Sequence, residues 1–480
     1  MAFTIFRIIA FIISIIGASF AIPIAAAVFC REYSVIPAFL VPMIASLALG
    51  FASMFFLRKK KSRLTIRSSF AAVALSWISA CILGAVPFYF SKSIPNFTDA
   101  FFESVSGFTT TGATILSEIE TLPRSINLWR CFSHWLGGMG IVALTVALMP
   151  VLGVGGFQLI KAETTGPEKG KLTPKITTTA KILWFIYLGM TALQTVLLKT
   201  AGMDFIDALS HAFSTLGTGG FSTRNASIGA YNSPLIEWIC FVFMFLAGIN
   251  FSLYFFLFTR NFSEIKCSSE LKAYLWINIV AVAAIAAVQA SSCGGFFKSL
   301  RAAAFQTASI LTTTGFSTAD YTKWKSASQI IILMLLFIGG MSGSTSGGVK
   351  VIRWVVLYKQ LKNEILKMIH PHGIFSIRLN NQAGRKDVVF SVSAFFFLYF
   401  SFTISTVFFT SLFGLDMQTS FTGAVTMIGN CGPAFGDLGP ACNCGWLASP
   451  VKWWYCLAMI AGRLELFTVF IFFTPAYWKK

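Results

Sequence analysis

The sequence predicts an all-α polytopic membrane protein with about ten transmembrane spans. Its mean hydropathy is +0.74, 56% of its 480 residues are hydrophobic, and only 11% are charged. Apolar runs long enough to cross a bilayer as α-helix recur from one end of the chain to the other. Average soluble domains carry about 25% charged residues, so we exclude an ordinary cytosolic enzyme and expect no catalytic activity.

Two apolar runs, residues 6–29 and 36–57, come first and predict two extra N-terminal helices within residues 1–66. The first run is long, is followed by further spans and lacks a convincing small-residue cleavage site. We therefore expect it to remain as a membrane helix instead of being cleaved as a signal peptide.

The formal net charge of +19 comes from Lys and Arg clusters that lie between apolar runs. These clusters are residues 58–63, 161–181, 260–272, 350–386 and 479–480. Nucleic-acid binding would place the basic residues along one polar face, so we exclude it. Cytoplasmic loops of membrane proteins are enriched in Lys and Arg, and an even number of crossings fits between consecutive clusters. The pattern thus predicts cytoplasmic N- and C-termini in a lipid bilayer.

One pattern occurs four times: an apolar span, a short amphipathic stretch, a Thr- and Gly-rich turn, and a second apolar span. The turns are centred on Gly112, Gly220, Gly315 and Gly432. The short stretches are residues 99–108, 204–216, 298–311 and 419–427, and the flanking spans are 70–90 and 131–150, 181–199 and 237–258, 271–291 and 328–350, and 388–411 and 451–474. The predicted repeats are residues 67–175, 176–266, 267–380 and 381–480.

The short stretches are too short and too polar to span a membrane, so each is expected to enter it part way as a half-helix. Irregular backbone at that depth survives only where it lines water or is buried in protein. Four buried turns therefore predict four tandem helix–pore-helix–helix repeats around one central pore.

These turns suit a dehydrated monovalent cation. Backbone carbonyls supply dipoles without a fixed charge, glycine tolerates the angles that turn carbonyls inward, and the half-helices direct partially negative C-terminal ends at the pore. Neighbouring threonine hydroxyls can add ligands or brace the loop. The candidate filter residues are Thr110, Thr111, Gly112, Gly219, Gly220, Thr313, Thr314, Gly315, Asn430, Cys431 and Gly432.

A Gly- and Ser-rich segment, residues 338–350, interrupts the second span of the third repeat. It suggests a flexible loop beneath the filter that acts as a gate, and the alternative is close helix packing through small residues. The candidate gate residues in it are Gly343, Ser344, Thr345, Ser346, Gly347, Gly348 and Lys350. In the last span, Arg463 either pairs with Glu465 or faces the pore as a barrier below the filter.

The ten cysteines are scattered, and many lie in apolar spans where a small buried hydrophobe is the expected role. Cys442 and Cys444 lie close together in a predicted external loop. A Cys-x-Cys pair can bind a metal or form a disulfide, but no matching histidine or second pair accompanies it.

These motifs resemble those of the Trk/Ktr/HKT superfamily of potassium transporters, most closely its bacterial TrkH-like branch. The resemblance covers essentially the whole chain. Its most specific parts are residues 214–223, 134–140, 343–350 and 462–465. Residues 430–433 depart from it, since they lack the threonines of the first and third turns, and residues 441–445 have no counterpart in the family pattern.

The resemblance implies uptake of potassium and rubidium in preference to sodium, with K⁺ as the transported ion and no organic cofactor in this chain. It also implies a homodimer in a bacterial inner membrane and gating by the third-repeat loop together with Arg463. A cytosolic TrkA-like subunit that binds nucleotides is the implied regulator. Some plant relatives with sodium preference carry serine where this chain has Gly112, which favours potassium here.

Two other functions compete with this prediction. A sodium- or proton-coupled symporter or other secondary transporter can also contain broken helices and repeats, although such repeats are usually inverted. An intramembrane serine protease would use Ser342 in a G-x-S-G turn and needs a nearby histidine. The four histidines, His134, His211, His370 and His372, are expected at other depths, with His134 at the external end of a span.

Overall fold

Long apolar helices form most of the protein. The computed structural model describes residues 2–56, 65–140, 176–292, 295–380, 382–383 and 386–479. Within these residues, six helices are long and apolar enough to cross a membrane, or up to eight if each of two bent helix pairs is one span. The predicted class of helical multi-pass membrane protein is confirmed. The basic cluster at 58–63 and most of the one at 161–181 lie outside the described residues, as does the end of the predicted span 131–150.

The extra N-terminal helices pack on the edge of the first helical unit. They are α1 (Ala2–Ser19), α2 (Ala21–Phe29) and α3 (Ile36–Phe56). Helix α1 packs against α3 and against α4 (Ile66–Phe90), and α2 packs against α6 (Arg124–Gly138). The buried ring of Phe20, at the junction of α1 and α2, lies 4.7 Å from that of Trp129 on α6. Burial of these aromatic rings attaches α1 and α2 to the rest of the fold.

In chain order, we group most of the remaining helices into four units, each with a long helix, a short helix, a loop and a second helix. The first contains α4 (Ile66–Phe90), α5 (Phe97–Phe108) and α6 (Arg124–Gly138); the second α7 (Ile176–Thr200), α8 (Phe205–Gly217), α9 (Pro234–Ala247) and α10 (Phe251–Phe258); the third α12 (Ser269–Gln289), α13 (Phe296–Leu311) and α14 (Ser326–Leu336); the fourth α16 (Lys386–Ser411), α17 (Met417–Gly429), α18 (Ser449–Arg463) and α19 (Phe467–Phe470). Helix α11 (Phe262–Cys267) joins the second unit to the third.

The four units pack in a closed cycle. The second helix of each unit contacts the short helix of the next unit. These contacts join α6 to α8, α9 to α13, α14 to α17, and α18 to α5. The last contact returns the fourth unit to the first, so the C-terminal ends of the four short helices are brought towards a common centre.

The second helices of two units bend where the sequence predicts single spans, so those two spans were wrong as continuous helices. The predicted span 237–258 bends by 92° between α9 and α10, and 451–474 bends by 112° after α18. In the third unit the helix ends where the sequence predicts that the Gly- and Ser-rich segment interrupts it. Helix α14 ends at Leu336, and residues 337–350 continue as a loop. A glycine lies at each bend because a neighbouring group approaches closely: a Cβ on Gly462 would lie 2.0 Å from the Ile428 carbonyl oxygen, and one on Gly248 would lie 2.5 Å from the Tyr274 hydroxyl.

After that loop the chain continues as α15 (Val351–Ile369) and a two-stranded hairpin, β1 (Arg378–Leu379) and β2 (Gln382–Ala383), in which Arg378 lies opposite Ala383. This hairpin is a small departure from the predicted all-α class. The last helix is α20 (Pro475–Trp478).

Candidate functional site

Each short helix ends in the same hydrogen-bonded cap. The amides of Thr111, Gly219, Thr314 and Cys431 donate to the carbonyl oxygens of Ser106, Ser214, Ser309 and Thr426, five residues earlier, at 2.9, 2.9, 2.8 and 2.9 Å. The preceding residues are left-handed, with φ of 57° at Thr110, 53° at Thr218, 55° at Thr313 and 53° at Asn430. This is the Schellman arrangement, in which one left-handed residue terminates the helix. Threonine is strained in that region, because its branched Cβ crowds the backbone.

The fourth loop has the same backbone as the others although its sequence differs. Asn430 occupies the position of Thr110, Thr218 and Thr313, and asparagine tolerates left-handed angles better than threonine. Sequence comparison among the repeats missed Thr218 as a member of this set. Its place two residues before Gly220 was the signal that could have identified it.

The four loops then meet in a ring. Gly112, Gly220, Gly315 and Gly432 have φ of 82°, 84°, 81° and 79°. A Cβ added to each would meet a carbonyl oxygen of the next unit: Gly219 at 2.0 Å from Gly112, Thr314 at 2.1 Å from Gly220, Cys431 at 2.5 Å from Gly315, and Thr111 at 2.5 Å from Gly432. Every contact is therefore backbone against backbone, and the last one closes the cycle. We call these four glycines, together with the residue directly before each of them, the loop ring. The preceding residues are Thr111, Gly219, Thr314 and Cys431.

An open cavity lies against the loop ring. All four ring glycines line it, together with Cys442 and Cys444 of the loop that follows the fourth turn. We call it the vestibule. One cavity therefore reaches all four units.

Threonine hydroxyls and the Asn430 amide brace the ring from behind. Thr109 and Thr111 share a hydrogen bond of 2.8 Å between their hydroxyls, and the Asn430 amide nitrogen donates to the Thr111 hydroxyl at 3.0 Å. The hydroxyl of Thr110 and the amide oxygen of Asn430 are buried and have no hydrogen-bond partner within the described residues. Buried polar atoms usually have a partner, so these two oxygens are exceptions.

A buried ion pair behind the ring joins the first unit to the second. Glu103 on α5 and Arg130 on α6 have no exposed side-chain surface and lie 2.8 Å apart. The Arg130 guanidinium also donates to the Ser222 carbonyl oxygen at 3.3 Å and lies 4.3 Å from the centre of the Phe221 ring. Both contacts are to the segment that follows Gly220. Sequence analysis missed this pair because its members lie on different helices of an apolar region.

We expect Arg130→Met to destabilise the protein by about 3–5 kcal/mol, because it leaves the buried Glu103 carboxylate without a countercharge. Thermal unfolding of purified protein in detergent measures the effect. The matched control is Arg124→Met on the same helix, whose pair with Asp204 is about half exposed and should contribute no more than about 1 kcal/mol. Equal losses in the two variants would contradict this role of Arg130.

His134 lies elsewhere than expected. It is buried within α6 and not at the external end of a span. Its Nδ1 lies 2.7 Å from the Gly107 carbonyl oxygen, and its Nε2 accepts a hydrogen bond from the Phe221 amide at 3.2 Å. The physical reason is that α6 begins at Arg124, so His134 is carried to the depth of the ring, where it links α5 to the second loop.

The Gly- and Ser-rich loop lies directly under the third and fourth parts of the ring. Its two ends are joined by backbone bonds from the Gly339 amide to the Val349 carbonyl oxygen, 2.8 Å, and from the Val351 amide to Gly340, 3.2 Å. The Gly347 amide donates to the Thr313 hydroxyl at 2.7 Å, and a Cβ on Gly347 would lie 2.5 Å from the Gly429 carbonyl oxygen. We call residues 339–350 the intramembrane loop.

Arg463 reaches this loop from the bend after α18. Its guanidinium donates to the carbonyl oxygens of Thr345 at 2.8 Å, Gly137 at 2.6 Å and Gly138 at 2.9 Å. The last two carbonyls end α6, where a positive charge is favourable. Glu465 pairs with Arg353 and not with Arg463. Lys350 donates to the Ser346 carbonyl oxygen within the same loop.

Cys442 and Cys444 are both free thiols, the first exposed and the second buried. The Cys444 amide donates to the Thr114 carbonyl oxygen at 2.7 Å, so this loop packs against the chain leaving the first turn. Within the described residues, His, Cys, Asp and Glu form no group of three that could hold a metal ion.

A thiol-reactive maleimide at pH 8 is expected to label Cys442 and to spare Cys444. Burial raises the pKa of the Cys444 thiol to about 12, and the thiolate is the reactive form. Peptide mass spectrometry identifies the modified residue, with Cys442→Ser as the control. Equal labelling of the two thiols in folded protein would contradict the structure of this loop.

The chain is a helical multi-pass membrane protein. Four loops, each at the end of a short helix, surround one cavity, and this arrangement is a candidate ion site. A family model described as TrkH, cation transport protein, matches residues 35–279 and 281–480. The chain therefore belongs to the TrkH family of cation transport proteins.

Several named relatives are similar over nearly the whole chain. The Trk system potassium uptake protein TrkH of Escherichia coli K12 is 38% identical over 449 residues, 92% of each chain. TrkG of the same strain is 34% identical over 463 residues, 95% of each. The crystal structure of the potassium transporter TrkH from Vibrio parahaemolyticus superposes with a TM-score of 0.89 at 34% identity and full coverage of both chains.

Proposed function

We propose that this protein takes up potassium, and also rubidium, through the loop ring, which acts as a selectivity filter. The observation that carries the proposal is the closed cycle in which each ring glycine abuts a carbonyl oxygen of the next unit. The names of the relatives, potassium uptake proteins, support potassium as the ion. The proposed filter comprises Thr110, Thr111, Gly112, Gly219, Gly220, Thr313, Thr314, Gly315, Asn430, Cys431 and Gly432.

The ring suits a monovalent cation on electrostatic grounds. The carbonyl oxygens that precede the four ring glycines provide partial negative charges, which can replace the hydration shell of an ion without holding it as tightly as a carboxylate would. The C-terminal ends of α5, α8, α13 and α17 add further negative potential at the ring. The nearby acid Glu103 is neutralised by Arg130. Selectivity therefore depends on oxygen dipoles and not on a fixed charge.

The intramembrane loop and Arg463 form the proposed gate below the filter. The loop residues that take part are Gly343, Ser344, Thr345, Ser346, Gly347, Gly348 and Lys350. Arg463 links the loop, which belongs to the third unit, to the end of α6 in the first unit. In this proposal the guanidinium repels a cation and keeps the path closed until the loop moves.

We propose that a nucleotide-binding subunit controls the gate from the cytoplasm. The proposed transporter is a homodimer in a bacterial inner membrane, and both of its termini are cytoplasmic. Helix α15 supports a mechanical link, because it begins where the intramembrane loop ends. It exposes apolar side chains along its length, including Tyr358 at 70% and Met368 at 84%. The relatives are named as parts of a Trk system, which agrees with a transporter of several components.

Rubidium-86 uptake into sealed proteoliposomes tests the proposed function. With a cytosolic regulatory subunit present, we expect uptake that excess potassium blocks and excess sodium leaves intact. Empty liposomes are the control for leak. No uptake above that control, or equal competition by sodium and potassium, would contradict the proposal.

A further inference from the structure

A single carboxylate oxygen joins both ends of the intramembrane loop. Glu270 lies in the first turn of α12 and is 6% exposed. Its Oε1 accepts a hydrogen bond from the Ser342 amide at 2.7 Å, and another from the Ile352 amide at 3.1 Å. Ser342 lies near the start of the loop, and Ile352 lies in the first turn of α15, just after its end. The two amides are thus held by one atom of a different helix.

The position of Glu270 favours a charged clamp. The Ile352 amide belongs to the first turn of α15, where the unpaired N–H groups and the helix dipole attract an anion. Hydrogen bonds from amides to an ionised carboxylate are roughly twice as strong as neutral ones. Glu270 therefore acts as an N-terminal cap supplied from another element, and it ties α15 to helix α12.

The tip of the loop is held by other groups. The Thr345 carbonyl oxygen is bound by Arg463, the Gly347 amide by the Thr313 hydroxyl, and the Gly343 carbonyl oxygen by the Phe251 amide at 3.0 Å. Glu270 thus lies at the base of the loop. The tip of the loop, which would block the proposed pore, is on one side of Glu270, and helix α15, which leads away from the loop, is on the other.

We infer that Glu270 is a positioning residue that couples the movement of α15 to the intramembrane loop and keeps the loop in its closed position at rest. This inference rests on the proposed function, since it needs a gate to act on. A pull on α15 withdraws the Ile352 amide from Glu270 and releases the end of the loop, while the Ser342 amide keeps the other end in place. The loop then swings about its fixed end.

The test measures rubidium-86 uptake into proteoliposomes with and without the cytosolic regulatory subunit, for wild type, Glu270→Ala and Glu270→Gln. We expect Glu270→Ala to raise uptake without the subunit by about 10-fold, the change that follows from about 1.4 kcal/mol lost from the closed state. Glu270→Gln keeps one acceptor oxygen and should fall between the two. Glu264→Ala is the matched control, because Glu264 is an exposed acid on the preceding helix α11.

The ratio of uptake with the subunit to uptake without it distinguishes coupling from general damage. A clamp predicts that this ratio falls in the order wild type, Glu270→Gln, Glu270→Ala, while competition by potassium over sodium stays unchanged. Wild-type uptake with an unaltered ratio in Glu270→Ala overturns the inference, as does loss of uptake in a variant that elutes as folded protein. Absence of uptake by wild type with the subunit present contradicts the proposed function itself.

Discussion

Gly112→Ala is expected to reduce rubidium uptake by more than about 100-fold, equivalent to about 2.7 kcal/mol of lost stabilisation of the ion in transit. The new Cβ would lie 2.0 Å from the Gly219 carbonyl oxygen, a backbone atom of the next unit. That oxygen cannot move aside as a flexible side chain could, so the substitution must displace part of the ring. The measurement is initial uptake rate per folded transporter in proteoliposomes.

The matched control for this effect is Gly414→Ala. Gly414 has φ of 88°, close to the 82° of Gly112, but a Cβ there would have no neighbour within 4 Å. It tests the backbone strain alone, which costs roughly 1–2 kcal/mol of folding free energy and should leave uptake near wild type. If both variants lost uptake equally, strain and not contact within the ring would explain the result, and the ring account would fail.

Arg463→Ala is expected to raise uptake in the absence of a regulatory subunit by about 10- to 100-fold. The substitution removes three hydrogen bonds that hold the loop to the end of α6, and it removes the positive charge from the proposed path. A loss of about 1.4–2.8 kcal/mol from the closed state gives a change of this size. The measurement is basal rubidium uptake, compared with uptake after the subunit is added.

Arg463→Lys provides the control. Lysine keeps the charge but lacks the planar fork that reaches several carbonyls at once, so its basal uptake should lie between wild type and Arg463→Ala. Basal uptake in Arg463→Ala that is equal to or lower than that of wild type would show that Arg463 does not hold the path closed.

The ring could be predicted from the sequence because its information is local. A glycine after a short amphipathic helix, repeated four times, indicates the same turn each time, and all four glycines have the expected positive φ. The fourth turn was harder to recognise because asparagine replaces threonine at its cap. The loop at 338–350 was also predictable, since a run of glycine and serine cannot continue a membrane helix.

The contacts between units could not be predicted. Glu103 with Arg130 and Glu465 with Arg353 are pairs of residues on separate elements, and their proximity depends on how the helices pack. Arg463 binds backbone carbonyls, which every residue possesses and which therefore leave no mark in the sequence. The bend at Gly248 had a local signal, glycine followed two residues later by the helix-capping Asn250, but the apolar run around it favoured one continuous helix.

The central claim is that a dehydrated potassium-like ion binds on the axis of the loop ring. X-ray diffraction from crystals grown in rubidium, recorded at the rubidium absorption edge, tests it most directly. We predict anomalous density between the carbonyl oxygens of Thr111, Gly219, Thr314 and Cys431, which disappears when sodium replaces rubidium. Density confined to the protein surface, or an equally occupied axial site in sodium, would contradict the claim.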